Sequence, residues 1–170
     1  SVNLSPIQMM NRNLLATVVG ALSSSGLPAS RLEIEITESV LMQNTEITIA
    51  TLHKLRELGV HISMDDFGTG YSSLSYLTKF PFDKIKIDRS FISGLPNDAE
   101  SIAIVRAVAG LARNLNMTAT AEGVETAEQL EQIRALGCVE MQGYLFSPPR
   151  PLAQLAHVLR PQCRVLAKIA

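Results

Sequence analysis

The sequence has no tryptophan, three tyrosines and five phenylalanines, so aromatic residues fill only 5% of its 170 positions. With no basic cluster either, it lacks the stacking platform and the phosphate-tracking stripe that a nucleic-acid polymer needs. Charge is nearly balanced, with 15 Lys and Arg against 16 Asp and Glu and a formal net charge of -1. That balance implies no strongly charged macromolecular partner and leaves a small anionic substrate open. Cysteine is scarce as well: Cys138 and Cys163 lie far apart, without metal-type spacing, as expected in a reducing cytosol. No two of His53, His61 and His157 stand at ligand-like spacing. No run approaches the roughly 18 apolar residues of a membrane helix, and no signal peptide precedes Ser1. A cytoplasmic location is therefore expected, with a membrane-anchored parent protein left open. What is abundant is apolar residue content, 46%, enough for one domain with a sizeable core.

Short β-type runs alternate with helical stretches: Val2 to Leu4, Leu32 to Thr37, Val60 to Asp65, Lys84 to Asp88, Thr118 to Glu122 and Glu140 to Phe146. Such alternation predicts a parallel α/β architecture. A helix begins after Asn44-Thr45 and stops at Gly59; another opens on a Thr126/Gln129 capping box and stops at Gly137. The stretches Leu52 to Val60 and Leu130 to Cys138 resemble each other, each feeding onward through one glycine. They suggest a repeated helix-strand unit of a closed βα barrel, although helix stop signals alone would give the same likeness.

Three of the strands divide polar from apolar side chains by face: Leu32 to Thr37, Lys84 to Asp88 and Thr118 to Glu122. A half-solvated antiparallel sheet gives this pattern. In an alternating chain, however, parallel strands covered on both faces should be almost continuously apolar. A barrel with helices outside and a polar interior fits better. Carboxylates then gather at the strands' carboxyl ends, where βα barrels build their sites: Glu35 and Glu38, Asp65 and Asp66, Asp88, Glu122 and Glu125.

Asp65 and Asp66 end an apolar strand and run into a glycine-rich turn, Phe67-Gly68-Thr69-Gly70. Strict alternation predicts Asp65 on one side of the sheet and Asp66 at the turn on the other. Capping of the turn or of the next helix is the alternative use of an Asp beside Gly. Four strand ends bringing acids to one rim require counter-charge, because unpaired carboxylates repel or hold protons. An oxygen-rich set selects Mg2+ or Mn2+ over Zn2+. Carboxylates shared by two such ions, about 3.5 to 4 Å apart, clamp an in-line phosphoryl displacement. The implied chemistry is phosphoester hydrolysis.

Lys86 is the odd cation on this rim, and it serves either as a charge-balancing ion pair or as a group that holds water and stabilises phosphate charge. Asn3 is a neutral oxygen ligand or, with Ser5-Pro6 following, a turn residue; Gln142 is a lone donor. Glu33 reads as structural, paired low in the barrel. Phe67, Tyr71 and Tyr76 could stack on a base, with core or interface packing as the simpler use.

Six segments, taken together and in order, resemble the signatures of bacterial EAL-domain cyclic di-GMP phosphodiesterases. They are Asn3 to Pro6, Glu35 to Ser39, Asp65 to Leu74, Lys84 to Asp88, Ala121 to Thr126 and Gln142 to Phe146. The match runs from residue 1 to about 150, leaving 151–170 as a C-terminal helical segment of a partial domain. The resemblance implies a (β/α) TIM-type barrel that hydrolyses cyclic di-GMP to linear pGpG with two Mg2+ or Mn2+ ions. It implies that Asn3, Glu35 and Asp65 bind one ion and Asp65, Asp66 and Glu122 the other. Lys86 would orient the attacking water beside Asp88, Glu122 would double as general base, and Glu125 and Gln142 would support water or substrate. Glu38 would anchor the loop Phe67, Gly68, Thr69, Gly70 onward to Leu74, which in this family couples the site to dimerisation. A homodimer and flanking sensory or cyclase domains are therefore expected.

The family's Glu-Ala-Leu motif is absent from these residues. The chain matches about strands 3 to 8 of eight, so an incomplete barrel is expected, with open edges that aggregate, swap or borrow strands. The fragment alone is expected to be inactive. A non-catalytic cyclic di-GMP sensor, signalling through the Phe67 to Leu74 loop and dimerisation, is the alternative to an enzyme.

Overall fold

The computed structural model describes residues 1–41, 45–69, 74–151 and 154. Six parallel strands form one sheet in sequence order: β1 (Val2–Asn3), β2 (Glu33–Thr37), β3 (His61–Phe67), β4 (Lys84–Ile87), β5 (Thr118–Glu122) and β6 (Glu140–Gln142). The sheet curls into an incomplete barrel with helices along its outside. Predicted strands are all present, four of their ends are shorter by one residue, and two ends change by more. Strand β3 runs on through Asp66 and Phe67, and β6 stops at Gln142, since Gly143 to Phe146 form a turn with Phe146 N–H donating to Gly143 O.

Alternation along the strands produces the two faces. Ile34, Ile36, Ile62, Met64, Ile85, Ile87, Ala119 and Ala121 are buried in the core with helix residues Leu52, Leu55, Val105, Ala112 and Ile133. Each large aliphatic side chain taken out of water there contributes about 1.5 to 3 kcal/mol before entropy is subtracted. Glu35, Ser63, Asp65, Lys86 and Thr120, which are also buried, occupy the opposite, inner face. A polar interior is therefore what the strand pattern builds.

The two similar helix ends close alike. After the helix Thr45–Glu57, Val60 N–H reaches Leu55 O and Gly59 N–H reaches Arg56 O; after Ala127–Ala135, Cys138 N–H reaches Ile133 O and Gly137 N–H reaches Arg134 O. These paired bonds satisfy carbonyls that the helix leaves open, and they need a left-handed residue, met by φ of 93° at Gly59 and 96° at Gly137. A third helix, Ala99–Asn114, ends the same way with Asn116 at φ 58°. Without a glycine, that third repeat was hidden in the sequence. Among the described residues, no helix is long and apolar enough to cross a membrane.

Candidate metal centre and active site

Strand ends deliver the acidic side chains to one rim. Glu35 comes from β2, Asp65 and Asp66 from β3, Lys86 from β4 and Glu122 from β5. Lys86 Nζ lies 2.9 Å from Glu35 Oε2, 2.9 Å from Asp65 Oδ1 and 2.7 Å from Glu122 Oε1. Asp65, Asp66 and Glu122 each offer a carboxylate oxygen within 4.8 Å of the others.

This geometry corrects the expectation that Asp65 and Asp66 point to opposite sides. Pairing between β3 and β4 shifts register between Met64 and Phe67, and Asp66 takes φ 52°. An irregularity of this kind breaks the alternation and re-aims a side chain, so both carboxylates reach the same rim. Asp66 N–H also donates to Asp65 Oδ1 at 3.2 Å.

Four carboxylates share one ammonium. Burial pushes the Glu122 carboxyl above its ordinary value, and the hydrogen bond and charge of Lys86 only partly offset it. Burial also raises Asp66, with the neighbouring charges of Asp65 and Asp88 adding to it. For Glu35 burial is again the largest influence and acts in the same direction, but hydrogen bonds from Lys86 and Ser1 together with the charges of Lys86 and the terminal ammonium outweigh it, and the net shift is downward. Lys86 is buried, yet its three carboxylate partners hold it firmly protonated. The excess negative charge and the all-oxygen donor set fit a hard divalent cation such as Mg2+ or Mn2+.

The other predicted residues take varied positions. Asn3, exposed at the end of β1, is registered beside Glu35. Asp88 caps the helix Arg89–Ser93, its Oδ1 accepting from the Ser90 N–H and hydroxyl. Burial works to raise the Asp88 pKa, but those donors bring it below the ordinary value. Glu125 pairs with Arg89 at 2.8 Å. Gln142 ends β6 and, with Glu122, Glu125, Arg89 and Tyr144, lines a cleft of about 690 Å³. Glu38 Oε1 accepts from Gly68 N–H at 3.1 Å, Thr69 Oγ1 donates to Asp66 O, and Phe67 is buried. Gly70, Tyr71 and the side chain of Tyr76 lie outside the described residues, as does the C-terminal segment apart from 151 and 154.

Two features escaped the sequence reading. The Arg89–Glu125 pair joins the first residue of the helix after β4 to the loop after β5, with no periodic signal between them. Gln129 does more than complete a capping box: its Oε1 accepts from Glu125 and Thr126 N–H while Nε2 donates to Ile92 O, tying the loop after β5 to the helix after β4.

The EAL domain family matches residues 1–149. The chain belongs to the EAL domain family. This EAL chain is 47% identical over 160 residues to the cyclic di-GMP phosphodiesterase NbdA of Pseudomonas aeruginosa, covering 94% of the chain and 20% of NbdA. It is 45% identical over 155 residues to the bifunctional diguanylate cyclase/cyclic di-GMP phosphodiesterase MucR of the same species, covering 91% of the chain and 23% of MucR. The solved complex of the MucR phosphodiesterase with c-di-GMP superposes with a TM-score of 0.85 over 91% of this chain and 62% of that one. A manganese/cy-diGMP complex of BlrP1 from Klebsiella pneumoniae, 34% identical, gives 0.81 over 87% and 38%. The EAL chain spans about one fifth of the length of the curated relatives it matches.

Proposed function

We propose that this EAL chain carries the catalytic rim of a metal-dependent phosphodiesterase that hydrolyses cyclic di-GMP to linear pGpG. The observation that carries the reading is the convergence of Glu35, Asp65 and Glu122 on Lys86, with Asp66 beside them, on the barrel edge where βα enzymes act. The named activities of NbdA and MucR and the bound ligands of the MucR and BlrP1 structures support it.

Asn3, Glu35 and Asp65 would hold one ion and Asp65, Asp66 and Glu122 the second, the ions being Mg2+ or Mn2+. Two such ions supply charge to lower the pKa of water and to stabilise a leaving oxygen. The chain's own groups do the rest. Lys86 presents a fixed cation to the developing charge on the phosphate and orients the attacking water. Glu122, whose carboxyl is shifted above its ordinary value and which touches Lys86, is placed to accept the proton of the attacking water. Water's oxygen bonds to phosphorus, one P–O ester bond breaks, and the freed ribose oxygen takes a proton. Glu125 and Gln142 hold substrate in the adjoining cleft. Asp88 acts at one remove, fixing the helix that follows Lys86.

Glu38 gripping Gly68 N–H supports a second role for the loop that starts at Phe67, coupling the rim to a homodimer partner. Flanking sensory or cyclase domains and a cytoplasmic site of action complete the reading. The test is to incubate the full-length protein with Mn2+ and cyclic di-GMP and to separate the products by chromatography. A peak of pGpG that disappears in EDTA is expected. Tight cyclic di-GMP binding in EDTA with no product at any Mn2+ concentration would instead make the chain a sensor.

A further inference from the structure

One layer below Lys86, the barrel interior carries a second ion cluster. Lys84 Nζ lies 2.6 Å from Glu33 Oε2 and 2.7 Å from Glu140 Oε2, and Thr120 Oγ1 donates to the same Glu140 oxygen at 3.0 Å. The Lys84 and Glu33 side chains are 19% and 21% exposed, whereas Glu140, on the last strand of the sheet, is 48% exposed, so the lysine and its Glu33 partner are largely withdrawn from solvent while the Glu140 side stays open to it. Its partners come from β2 and β6, each two strands away from β4 on opposite sides. On a flat sheet, strands two apart are separated by about 10 Å and their side chains stand parallel. One ammonium touching both carboxylates requires the sheet to be curled.

Each member of this lower layer sits two residues before a member of the upper one on the same strand face: Glu33 before Glu35, Lys84 before Lys86, Thr120 before Glu122 and Glu140 before Gln142. The strand curvature that lets Lys84 reach both sides also brings the oxygens of Asp65, Asp66 and Glu122 within 4.8 Å of one another. Burial works against the charge on Lys84, but Glu140 and Glu33 more than restore it, so the tie stays ionised.

We propose that Lys84 is a positioning residue: its tie between Glu33 and Glu140 sets the curl of the sheet and thereby the spacing of the metal-binding rim above it. It touches neither the ion nor the substrate. The inference rests on the metal-dependent reading of the rim.

The test compares Mn2+ affinity, by calorimetry, in the full-length wild type and in Lys84→Met, Lys84→Arg and Asp65→Asn variants, with circular dichroism checking the fold. Lys84→Met should bind Mn2+ about tenfold more weakly, the lower end of what indirect support of a metal site contributes. Lys84→Arg, which keeps the charge, should recover most of the affinity. Unchanged affinity in folded Lys84→Met, or an equal loss in both lysine variants, overturns the tie while Asp65→Asn still reports on the rim. Absence of Mn2+ binding to the wild type overturns the metal reading and the inference with it. Should Lys84→Met fail to fold, Thr120→Val removes only the hydroxyl donated to Glu140 and must lower Mn2+ affinity severalfold; wild-type affinity there overturns the proposal.

Discussion

Lys86 Nζ stands 2.7 Å from Glu122 Oε1, joining the end of β4 to the end of the neighbouring β5. The same ammonium also holds Glu35 and Asp65, so a single buried cation gathers acids from β2, β3 and β5. Its charge is shared among more carboxylates than it can neutralise.

Replacing Lys86 with Met leaves its carboxylates facing one another without a counter-charge. Breaking a buried ion pair from one side costs about 3 kcal/mol, so urea unfolding in EDTA should show a loss of that size. Added Mn2+ should recover part of it. Turnover should fall by about 100-fold, the lower end for losing one charge-stabilising donor, and by more than Mn2+ affinity falls. Equal losses in both would assign Lys86 to assembling the site and not to the reaction.

Asp66 and Glu122 both titrate above the ordinary carboxylate range because they are buried among like charges. Protonation therefore favours the folded, metal-free chain. That contribution is complete below the unfolded pKa and fades as pH rises through the folded one. Glu35, shifted down, works in the opposite sense: its stabilisation is present above the unfolded pKa and is lost as pH falls through the folded value. A divalent ion competes with the protons on Asp66 and Glu122. Mn2+ affinity should thus rise as pH climbs through the folded-state values of Asp66 and Glu122, with proton release over that range seen by calorimetry in buffers of different ionisation heat. An affinity that does not fall as pH is lowered through the carboxylate range, with no proton release there, would remove these two residues from the ligand set.

Gly143→Ala tests the turn that closes the cleft. A Cβ at this position would lie 2.2 Å from Val124 O and 2.3 Å from Val124 N. Val124 is itself held by bonds from its N–H to Gln142 O and from Leu145 N–H to its carbonyl, so the backbone has nowhere to retreat. A destabilisation of about 3 kcal/mol is expected, measured by denaturant unfolding, along with a raised KM for cyclic di-GMP. Wild-type stability would show that the turn yields.

Gln129→Ala strips a buried side chain that serves three backbone groups, Glu125 N–H, Thr126 N–H and Ile92 O. Leaving buried polar groups without partners costs about 1 to 3 kcal/mol. Gln129→Glu keeps the acceptor for the two N–H groups and loses only the donor to Ile92, so its unfolding midpoint should fall between those of the wild type and the alanine variant.

Much of this was legible in the sequence because its signals are local. Period-two polarity in Glu33-Ile34-Glu35 and Lys84-Ile85-Lys86 marks a polar interior, and Gly59 and Gly137 mark helix ends. The orientation of Asp66 was not legible, since it depends on a register shift against β4 that no pattern within β3 encodes. The strand beginning at Glu140 was read too long, because Tyr144, Leu145 and Phe146 have strand-like composition but belong to a turn around Gly143. Lys84 showed only as one more polar residue; its partner Glu140 is distant in sequence, and only the curl of the sheet brings the two together.

The central claim is that Asp65 serves two ions at once. Calorimetric titration of Mn2+ into the full-length protein, wild type against Asp65→Asn and Gln142→Ala, tests it most directly. Two ions on the wild type, both sites lost or severely weakened in Asp65→Asn, and nearly normal binding in Gln142→Ala are the expected results. Two sites retained at wild-type affinity in Asp65→Asn would contradict the shared-ligand centre.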